Sequence, residues 1–429
     1  MKTKHQQPTA NSQQPIPYGR QNITQQDIDA VVEVLKSDFL TQGPKVKEFE
    51  EKFAQYVWAK YAVAVTNGTA ALHLCNLAIG TKPGDKVITT PITFAASANS
   101  VLYCGGEVDF VDIDPDSYLL DLNKLEEKLE KAPEGTYKGI IPVDLAGYPV
   151  DVERLREIAD KYGLWIIEDA CHAPGGYFVD SKNNKQSCGN GVYSDLQIFS
   201  FHPVKHIATG EGGMITTNSE KLYKKLLLLQ THGITKETDS FINSIDLAYG
   251  SQPPTANPQL PTANRQSPTA NRQQYPGWYY EMHELGYNYR ISDINCALGI
   301  SQLSRAKENV EKRNEIAKRY NEAFKDIAQI KTPFVADNVY HAYHLYIIQA
   351  ENRKGLYDYL RKNGIYAQVH YIPVHLQPYY QNLGWKKGDL PVAEAYYEKA
   401  LSLPMYPTLS EQQQEFVIDK VIKFVRNDD

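Results

Sequence analysis

Lys205 lies in a sequence context that favours chemistry at its side-chain amine. The aromatic segment FSFHPV at residues 199–204 precedes it, and a TGEGG turn at residues 209–213 follows. The flanking residues predict that the lysine stem is buried, which lowers the pKa of an amine and makes it nucleophilic enough to form an imine. Because the glycines follow the lysine, the segment does not have the order of a nucleotide-binding P-loop.

Two other motifs follow predicted strands and contain groups that suit a phosphate and a protonated ring nitrogen. Residues 66–71, TNGTAA, place Asn67, Thr69 and Ala70 at a predicted helix N-terminus, where free N–H groups favour a phosphate. Asp169 ends a strongly apolar strand, and a carboxylate in such a place needs a cation or a strong donor opposite it. On local evidence alone, an ordinary helix cap and a carboxylate that caps a turn are the alternatives.

Together these motifs are the parts that pyridoxal phosphate requires. Lys205 would hold the aldehyde as an imine, and Asp169 would keep the pyridine nitrogen protonated, so that the ring is an electron sink. Ser200, five residues before the lysine, could reach the same phosphate as the first motif. Phe94 lies at another strand end and could stack on the ring, although core packing is an alternative for a single aromatic residue.

The sequence gives no reason to assign a metal. His341 and His344 are three residues apart at the start of an apparent strand, so they would not share a helical face, and we interpret them as structural or substrate-lining. The five cysteines are never spaced as Cys-x-x-Cys and fit scattered reduced thiols.

Composition argues against several classes of protein. The 429-residue chain has 45 basic and 51 acidic side chains and a formal net charge of −6, without a long basic block, which argues against a nucleic-acid partner. No apolar run approaches the roughly 20 residues of a membrane span. Residues 1–14 are polar and rich in Gln, unlike a secretory signal. We therefore expect a cytoplasmic enzyme without membrane contact.

Repeats of Pro-Thr-Ala-Asn occur in two places in the chain. Three tandem copies begin at Pro254, Pro261 and Pro268, and a related copy begins at Pro8. Such segments have no apolar face and cannot offset their own ordering entropy. They predict a disordered tail at residues 1–15 and a low-complexity insert at about 236–276.

Elsewhere strand and helix patterns alternate, which predicts an α/β fold with a mainly parallel sheet covered by helices. The boundaries we expect are a large domain at residues 16–305 and a smaller α+β domain at 306–429. One long amphipathic helix is predicted from about Ile294 to Phe324, and the small domain includes predicted elements at 343–350, 354–363, 368–374 and 412–425. The predicted strands of the large domain are Tyr61–Val65, Lys86–Thr90, Val108–Ile113, Gly139–Leu145, Trp165–Glu168, Leu196–Phe201 and Met214–Thr217.

Several runs of residues resemble the sugar-nucleotide aminotransferases of the fold-type-I pyridoxal phosphate superfamily. The most specific are FSFHPVK with TGEGG at 199–213, IEDACHA at 167–173 and LGYNYRI at 285–291. The resemblance extends from about Ile16 to the C-terminus and leaves out the tail and the insert. Within the family, segments at 16–20, 37–44 and 368–373 are most similar to members that act in pseudaminic acid biosynthesis. The implied fold is a large domain with a mainly parallel seven-stranded sheet and a smaller α+β C-terminal domain.

The resemblance also implies a role for each residue of interest. Lys205 would carry the proton to C4 of the sugar, Asp169 would pair with the pyridine nitrogen, and His172 would approach the ring hydroxyl. Family members often have Gln where this chain has His172. Asn288 would reach the phosphate in the partner subunit of a homodimer with shared active sites. The phosphate would be held by Thr69, Ala70 and Ser200. The implied substrate contacts are Tyr18, Asp38, Phe39, Leu40, Thr41, Asn67, His370 and Tyr371.

The implied reaction moves an amino group from L-glutamate to a UDP-linked 4-keto-6-deoxy sugar. A transaminase of another nucleotide sugar, GDP- or dTDP-linked or a 3-keto sugar, is an alternative that the motifs do not exclude. A sugar dehydratase of the same fold would have histidine in place of Lys205, so the lysine argues against it. A non-enzymatic regulator would have a broken cofactor set or added DNA-binding helices, and the sequence shows neither.

Overall fold

Seven strands form the central sheet of the protein. The computed structural model describes residues 15–249 and 275–427. The strands of the described residues are β1 (Ile16–Pro17), β2 (Tyr61–Val65), β3 (Lys86–Thr89), β4 (Glu107–Phe110), β5 (Tyr137–Ile141), β6 (Trp165–Asp169), β7 (Tyr177–Val179), β8 (Lys185–Ser187), β9 (Leu196–Ser200), β10 (Gly213–Thr217), β11 (Ile234–Thr235), β12 (Glu281–Met282), β13 (Ile330–Lys331), β14 (Val339–Tyr340), β15 (Tyr346–Ala350), β16 (Ile365–Tyr366) and β17 (Ala400–Leu403).

Helices cover this sheet and build the C-terminal part. They are α1 (Gln25–Leu35), α2 (Pro44–Val57), α3 (Gly68–Ile79), α4 (Ala96–Tyr103), α5 (Leu122–Lys131), α6 (Val152–Tyr162), α7 (Glu220–Leu229), α8 (Ile245–Tyr249), α9 (Asp293–Leu303), α10 (Ala306–Phe324), α11 (Arg353–Lys362), α12 (Pro378–Gln381), α13 (Pro391–Lys399) and α14 (Glu411–Arg426). No helix among these described residues is long and apolar enough to cross a bilayer.

The order of the central sheet is β2-β10-β9-β6-β5-β3-β4, and β10 alone runs against its neighbours. The prediction of a mainly parallel seven-stranded sheet is therefore confirmed, and each predicted strand is present, Tyr61–Val65 with the same bounds and the others with shifted ends. Its apolar runs are buried, as expected for strands covered on both faces. Parallel strands end at one edge of a sheet, so the loops after β2, β3, β6 and β9 meet there.

Local sequence signals fix several helix ends. In α6 the Asp151 side chain accepts a hydrogen bond from the Arg154 N–H, and Gly163 ends the helix with φ of 66°. An aspartate cap and a left-handed glycine are the usual start and stop signals of a helix, so local sequence explains both ends of α6.

The predicted long helix from Ile294 to Phe324 is wrong in one respect, because α9 and α10 are separate helices. Arg305, between them, donates from Nη1 to Asp27 Oδ1 at 3.0 Å and from Nη2 to Asn22 O at 3.1 Å. The Asp27 side chain is fully buried. This contact with the start of α1 is a tertiary interaction, so it cannot be predicted from helical periodicity.

The C-terminal part is an α+β unit, as predicted. β15 pairs with β13 and β17, while α11 and α14 pack together beside it. The predicted element at 368–374 lies outside the helices and strands, apart from one bridge between Gln368 and Ser402 and the start of a 3-10 turn, Val374–Leu376. Leu345, Val374 and Tyr396 belong to the same apolar core as residues from the central sheet, so the two parts pack directly on each other.

The predicted insert at 236–276 falls partly outside the described residues. Residues 236–249 are described and contain a 3-10 turn, Thr238–Ser240, and α8. β11 pairs with β12 across the insert, so its two flanks lie side by side. The repeat at residues 254–274 and the tail at 1–14 lie outside the described residues.

Candidate active site

A cavity of about 710 Å³ opens at the edge of the sheet where the strands end. The C-terminal part closes it on one side. Its predicted lining residues are Tyr18, Asn67, Thr69, Ala70, Phe94, Asp169, His172, Ser200, Lys205, His370 and Tyr371. The structure thus brings together eleven of the residues that sequence reasoning assigned to one site.

Lys205 lies in the turn after β9, with its side chain half-buried. Its backbone N–H donates to His202 O at 2.8 Å, and the Thr209 N–H donates to Phe201 O at 2.9 Å. Burial lowers the pKa of Lys205, against the opposing effect of Cys171 and Asp169 nearby. Among the described residues, no hydrogen bond or ion pair engages Nζ, so the amine is available to a carbonyl group.

Asp169 ends β6 and is buried, with 6% of its surface exposed. Ser97 Oγ donates to Oδ2 at 2.7 Å, and the Cys171 N–H donates to Oδ1 at 3.2 Å. Two neutral donors orient this carboxylate without neutralising it. A protonated ring nitrogen would supply the opposing charge that a buried carboxylate requires.

The predicted phosphate cup lies at the first turn of α3. Asn67 accepts from the Ala70 N–H at 2.8 Å, so the helix-cap interpretation of this motif is correct too. The cap leaves the N–H groups of Gly68 and Thr69 at the positive end of a twelve-residue helix. A Cβ on Gly68 would lie 3.1 Å from the Ser200 Cβ, so small residues keep the two walls of the cup close.

These residues fit pyridoxal phosphate. An amine with no partner in the described part of the chain, an oriented carboxylate and a helix N-terminus line one cavity. Phe94 adds an aromatic side chain that is 63% exposed and faces this space. The donor set suits an anionic, aromatic aldehyde with a basic ring nitrogen.

His172 follows Asp169 and is held in one tautomer. Its Nδ1 accepts a hydrogen bond from the Ala146 N–H at 3.2 Å, and its Nε2 lies 3.3 Å from the Tyr371 hydroxyl. Burial lowers the pKa of His172 well below its ordinary value, and the charge of Lys205 adds to this effect. A neutral imidazole with an accepting Nδ1 carries its hydrogen on Nε2.

Sequence reasoning missed several residues of the cavity. Ser97 holds Asp169, and Cys171, His202, Val204 and Glu211 line the space around Lys205. A signal for Ser97 is its position three residues after Phe94, at the start of the helix that follows β3. His344 lines the cavity, in agreement with one of its two interpretations, and its ring centroid lies 4.3 Å from that of His172.

Five predicted site residues lie outside the cavity of their own chain. Asp38, Phe39, Leu40 and Thr41 are exposed in the loop between α1 and α2, and Asn288 is exposed just before α9. The structure joins the first loop to the start of α9, because Thr41 bridges to Ser292 and the Asp293 N–H donates to Leu40 O at 3.1 Å, while Asn288 bridges to Thr231. We call residues 38–41 with 288–293 the loop surface.

Fold and cavity together define an aminotransferase dependent on pyridoxal phosphate. The chain belongs to the DegT/DnrJ/EryC1/StrS aminotransferase family, whose sequence model matches residues 21–422. Members and neighbours of this family act on sugars, so the protein is a sugar aminotransferase with pyridoxal phosphate as its cofactor.

Two curated relatives match nearly the whole chain. The spore coat polysaccharide biosynthesis protein SpsC of Bacillus subtilis is 37% identical over 96% of this chain and 98% of its own. The UDP-4-amino-4,6-dideoxy-N-acetyl-beta-L-altrosamine transaminase of Campylobacter jejuni is 35% identical over 95% of this chain and 97% of its own.

Two solved structures have the same fold. Spr1654 of Streptococcus pneumoniae, assigned as a sugar aminotransferase and solved in its PLP form, has a TM-score of 0.81 and 28% identity over 96% of this chain and 99% of its own. PseC of Helicobacter pylori, an aminotransferase involved in the biosynthesis of pseudoaminic acid, has a TM-score of 0.80 and 29% identity over 96% of this chain and all of its own.

Proposed function

We propose that this enzyme converts UDP-2-acetamido-2,6-dideoxy-β-L-arabino-hex-4-ulose to UDP-4-amino-4,6-dideoxy-N-acetyl-β-L-altrosamine, with L-glutamate as amino donor, in pseudaminic acid biosynthesis. The observation that carries the chemistry is the amine of Lys205 beside Asp169 in a cavity with a helix N-terminus. The choice of sugar is supported by the Campylobacter relative, whose name states this product, and by the pathway of PseC. The cytoplasmic location stays a prediction from the sequence.

Each residue has a task in the reaction that its surroundings allow. Pyridoxal phosphate supplies an electron sink that stabilises negative charge at the carbon that exchanges its proton. Lys205 is the base and acid that moves this proton to and from C4 of the sugar, because burial lowers the pKa of its amine. Asp169 keeps the proton on the ring nitrogen, and Ser97 holds the carboxylate in place.

The sugar would enter past the side chains of the C-terminal part. His370 and Tyr371 line that wall together with Tyr18, which directly follows β1, and the Tyr18 and His370 rings are 5.1 Å apart. His370 Nδ1 lies 2.8 Å from Ser402 Oγ, which fixes the imidazole. Hydroxyl and imidazole groups suit hydrogen bonds to sugar hydroxyls, whereas the sheet edge provides the groups for the cofactor.

We further propose a homodimer in which each subunit completes the site of the other. Within the described residues, Lys205 is the one lysine or arginine that lines the cavity, although the substrate and cofactor both carry phosphates. On the loop surface, Phe39 is 54% and Leu40 is 47% exposed, and large exposed apolar side chains often mark an interface. Asn288 lies on the same surface, where it would reach a partner's phosphate.

A second candidate is transamination of a different nucleotide sugar. SpsC, named for spore coat polysaccharide biosynthesis, has a slightly higher identity to this chain than the Campylobacter transaminase. The residues at the cofactor would act in the same way, and the walls of the cavity would receive a different sugar.

Absorbance through the two half-reactions tests both candidates. The holoenzyme is first converted with L-glutamate, which bleaches the cofactor band, and 4-keto and 3-keto nucleotide sugars are then added one at a time. We expect the UDP-linked β-L-arabino 4-keto sugar to restore the band fastest. Faster recovery of the band with another keto sugar would show that this other sugar is the substrate. Recovery with none of the sugars would contradict nucleotide-sugar transamination altogether.

A further inference from the structure

Two buried carboxyl groups lie close to the cavity without lining it. Val143, which does line the cavity, bridges to Asp169 at the neighbouring ends of β5 and β6. Asp144 follows the first of these residues and Glu168 precedes the second, and successive side chains along a strand point to opposite faces. Asp144 is 1% and Glu168 is 4% exposed. Neither group takes part in the reaction described above, so the burial of both needs a separate explanation.

The hydrogen bonds of these two groups are unequal. Glu168 has a donor on each oxygen, because the Gly189 N–H lies 3.2 Å from Oε1 and the Ser194 hydroxyl lies 2.5 Å from Oε2. Asp144 Oδ1 accepts from the Val150 N–H at 2.9 Å, but Oδ2 is buried and no N–H or O–H donates to it. Within the part of the chain that the structure describes, neither carboxyl group forms an ion pair.

One of the two carboxyl groups therefore carries a proton. Their side chains are hydrogen-bonding partners, and two ionised carboxylates have no hydrogen to place between them. The other titratable groups near Asp144 are Asp169, Cys171 and Cys188; none is a cation, and a thiol is a weak donor. Burial, together with the negative charge of Glu168, raises the pKa of Asp144 well above its ordinary value. Because Glu168 already accepts on both oxygens, the proton is on Asp144.

Asp144 also begins the turn that supports His172. The backbone N–H of Asp144 donates to Asp169 O at 3.1 Å, and its side chain accepts from Val150, so this one residue ties both ends of the turn. Within the turn Ala146 has a left-handed φ of 60°, and its N–H donates to His172 Nδ1 at 3.2 Å. The direction of that N–H, and with it the tautomer of the imidazole, depends on the turn.

We propose that Asp144 is protonated in the folded protein, donates a hydrogen bond to Glu168, and is a positioning residue that acts on His172 through the turn at 144–150. The pair then has one negative charge instead of two close to Asp169. This inference concerns residues of one chain and depends neither on the proposed sugar nor on the homodimer, so the proposals can fail separately.

Infrared difference spectroscopy of the full chain detects this proton directly. A protonated carboxyl group has a C=O stretch at higher frequency than ionised carboxylates and amides. The difference spectrum between wild type and Asp144→Asn at neutral pH should therefore contain one such band from the wild type. Asp160→Asn, at a side chain that is 70% exposed, is the matched control and should give no band there. Absence of the band from the Asp144→Asn difference would overturn the proposal.

The proton also makes stability depend on pH. Asp144 ionises near pH 4 in the unfolded chain and stays protonated in the folded one, so above that pH folding takes up one proton. The folding constant of wild type, relative to that of Asp144→Asn, should therefore fall about tenfold per unit from about pH 5 to 7. Denaturant unfolding of both proteins measures this ratio, and a constant ratio would mean that Asp144 is ionised and the proposal is wrong.

Two variants at this position test the effect on His172. Asn keeps an acceptor for Val150 and a donor for Glu168, so Asp144→Asn should stay within about twofold of wild-type turnover. Leu has neither group, so Asp144→Leu should lower turnover about tenfold, as expected for lost hydrogen bonds, and should speed hydrogen exchange at the Ala146 N–H. Equal turnover in the two folded variants would contradict the positioning role. If Asp144→Leu fails to fold, the spectrum and pH dependence of Asp144→Asn still decide the proposal.

Discussion

The cofactor side of the cavity and the loop surface differ in how firmly their residues are held. Asp169 and Lys205 follow strands of the central sheet, and hydrogen bonds to Ser97 and within the turn after β9 fix their positions. Phe39, Leu40 and Asn288 are exposed, and few described contacts engage their side chains. Chemistry that is common to a family belongs on a rigid sheet edge, whereas recognition of a particular sugar or partner belongs on loops.

This difference has an electrostatic side as well. Burial lowers the pKa of Lys205, which favours proton transfer by its amine, and it lowers the pKa of His172 well below its ordinary value, which keeps that imidazole neutral. The loop surface offers the apolar side chains of Phe39 and Leu40 and the amide of Asn288, which suit packing and hydrogen bonding. Substitutions on the cofactor side should therefore affect proton transfer, and those on the loop surface should affect contacts between subunits. The largest effect is expected on the cofactor side.

Replacement of Lys205 by alanine should have the largest effect. No other amine lines the described cavity, so turnover should fall by about 10⁴-fold, the upper end of what a positioned acid–base group contributes. Steady-state transamination with L-glutamate measures this loss. Lys221→Ala, at an exposed lysine in α7, is the control and should be fully active. Appreciable turnover by Lys205→Ala would contradict the proposed catalytic role of Lys205.

A subunit-mixing experiment tests whether the loop surface completes the partner's site. Asn288→Glu would place a negative charge at the proposed phosphate contact and should be nearly inactive alone. In co-expressed Lys205→Ala and Asn288→Glu, hybrid dimers would contain one site with both defects and one intact site. Activity should recover to about a quarter of wild type if subunits pair at random.

The control for that experiment uses two residues from the cofactor side. Lys205→Ala mixed with Asp169→Asn should give no recovery, because both residues serve the site of their own chain and every hybrid site is defective. Equal recovery in both mixtures, or none with Asn288→Glu, would contradict the shared site and leave the loop surface free for another role.

The sequence predicted most, but not all, of the residues on the cofactor side of the cavity. The strand-end motifs of Asp169, Lys205 and Thr69 predicted a common site because parallel strands end at one edge of a sheet. Ser97 was missed because its bond to Asp169 depends on the sheet order, which places β3 and the start of α4 near β6. That order is a property of the assembled sheet, so the position of Ser97 at the start of the helix after β3 does not by itself identify Asp169 as its partner.

Two other differences have tertiary causes. Helical periodicity runs through Ser304 and Arg305, and the break there comes from the anchoring of Arg305 to Asp27 and Asn22, which are 278 and 283 residues away in the chain. The tautomer of His172 depends on the backbone N–H of Ala146, which has a left-handed φ of 60°. Neither a buried ion pair between distant segments nor one turned peptide can be predicted from spacing.

Neighbouring carboxylates give a more moderate test of the cofactor side. Asp169 and Glu168 point to opposite faces of β6, and Glu168 accepts from Ser194 Oγ at 2.5 Å instead of facing the cavity. Asp169→Asn should weaken cofactor binding and turnover about 100-fold, and Ser97→Ala about tenfold, since each removes a hydrogen bond that involves a charge. Glu168→Gln should retain cofactor affinity.

Absorbance titration of the cofactor-free variants with pyridoxal phosphate measures these affinities. A loss in Glu168→Gln as large as that in Asp169→Asn would mean that the strand end responds to any change of charge, and would remove the specific role of Asp169 at the ring nitrogen.

Deletion of residues 252–274 should have the smallest effect. Described contacts already close the base of this segment: β11 pairs with β12, the Phe241 and Tyr275 rings lie 4.8 Å apart, and the Tyr275 hydroxyl donates to Asn243 O at 2.6 Å. Shortening a loop whose ends are held together changes little entropy, so turnover should stay within about twofold of wild type. Phe241→Ala, which weakens the base itself, should lower the melting temperature more than the deletion does. The opposite order, with the deletion more damaging, would show that the repeats contribute to the enzyme and that the base alone does not hold this region.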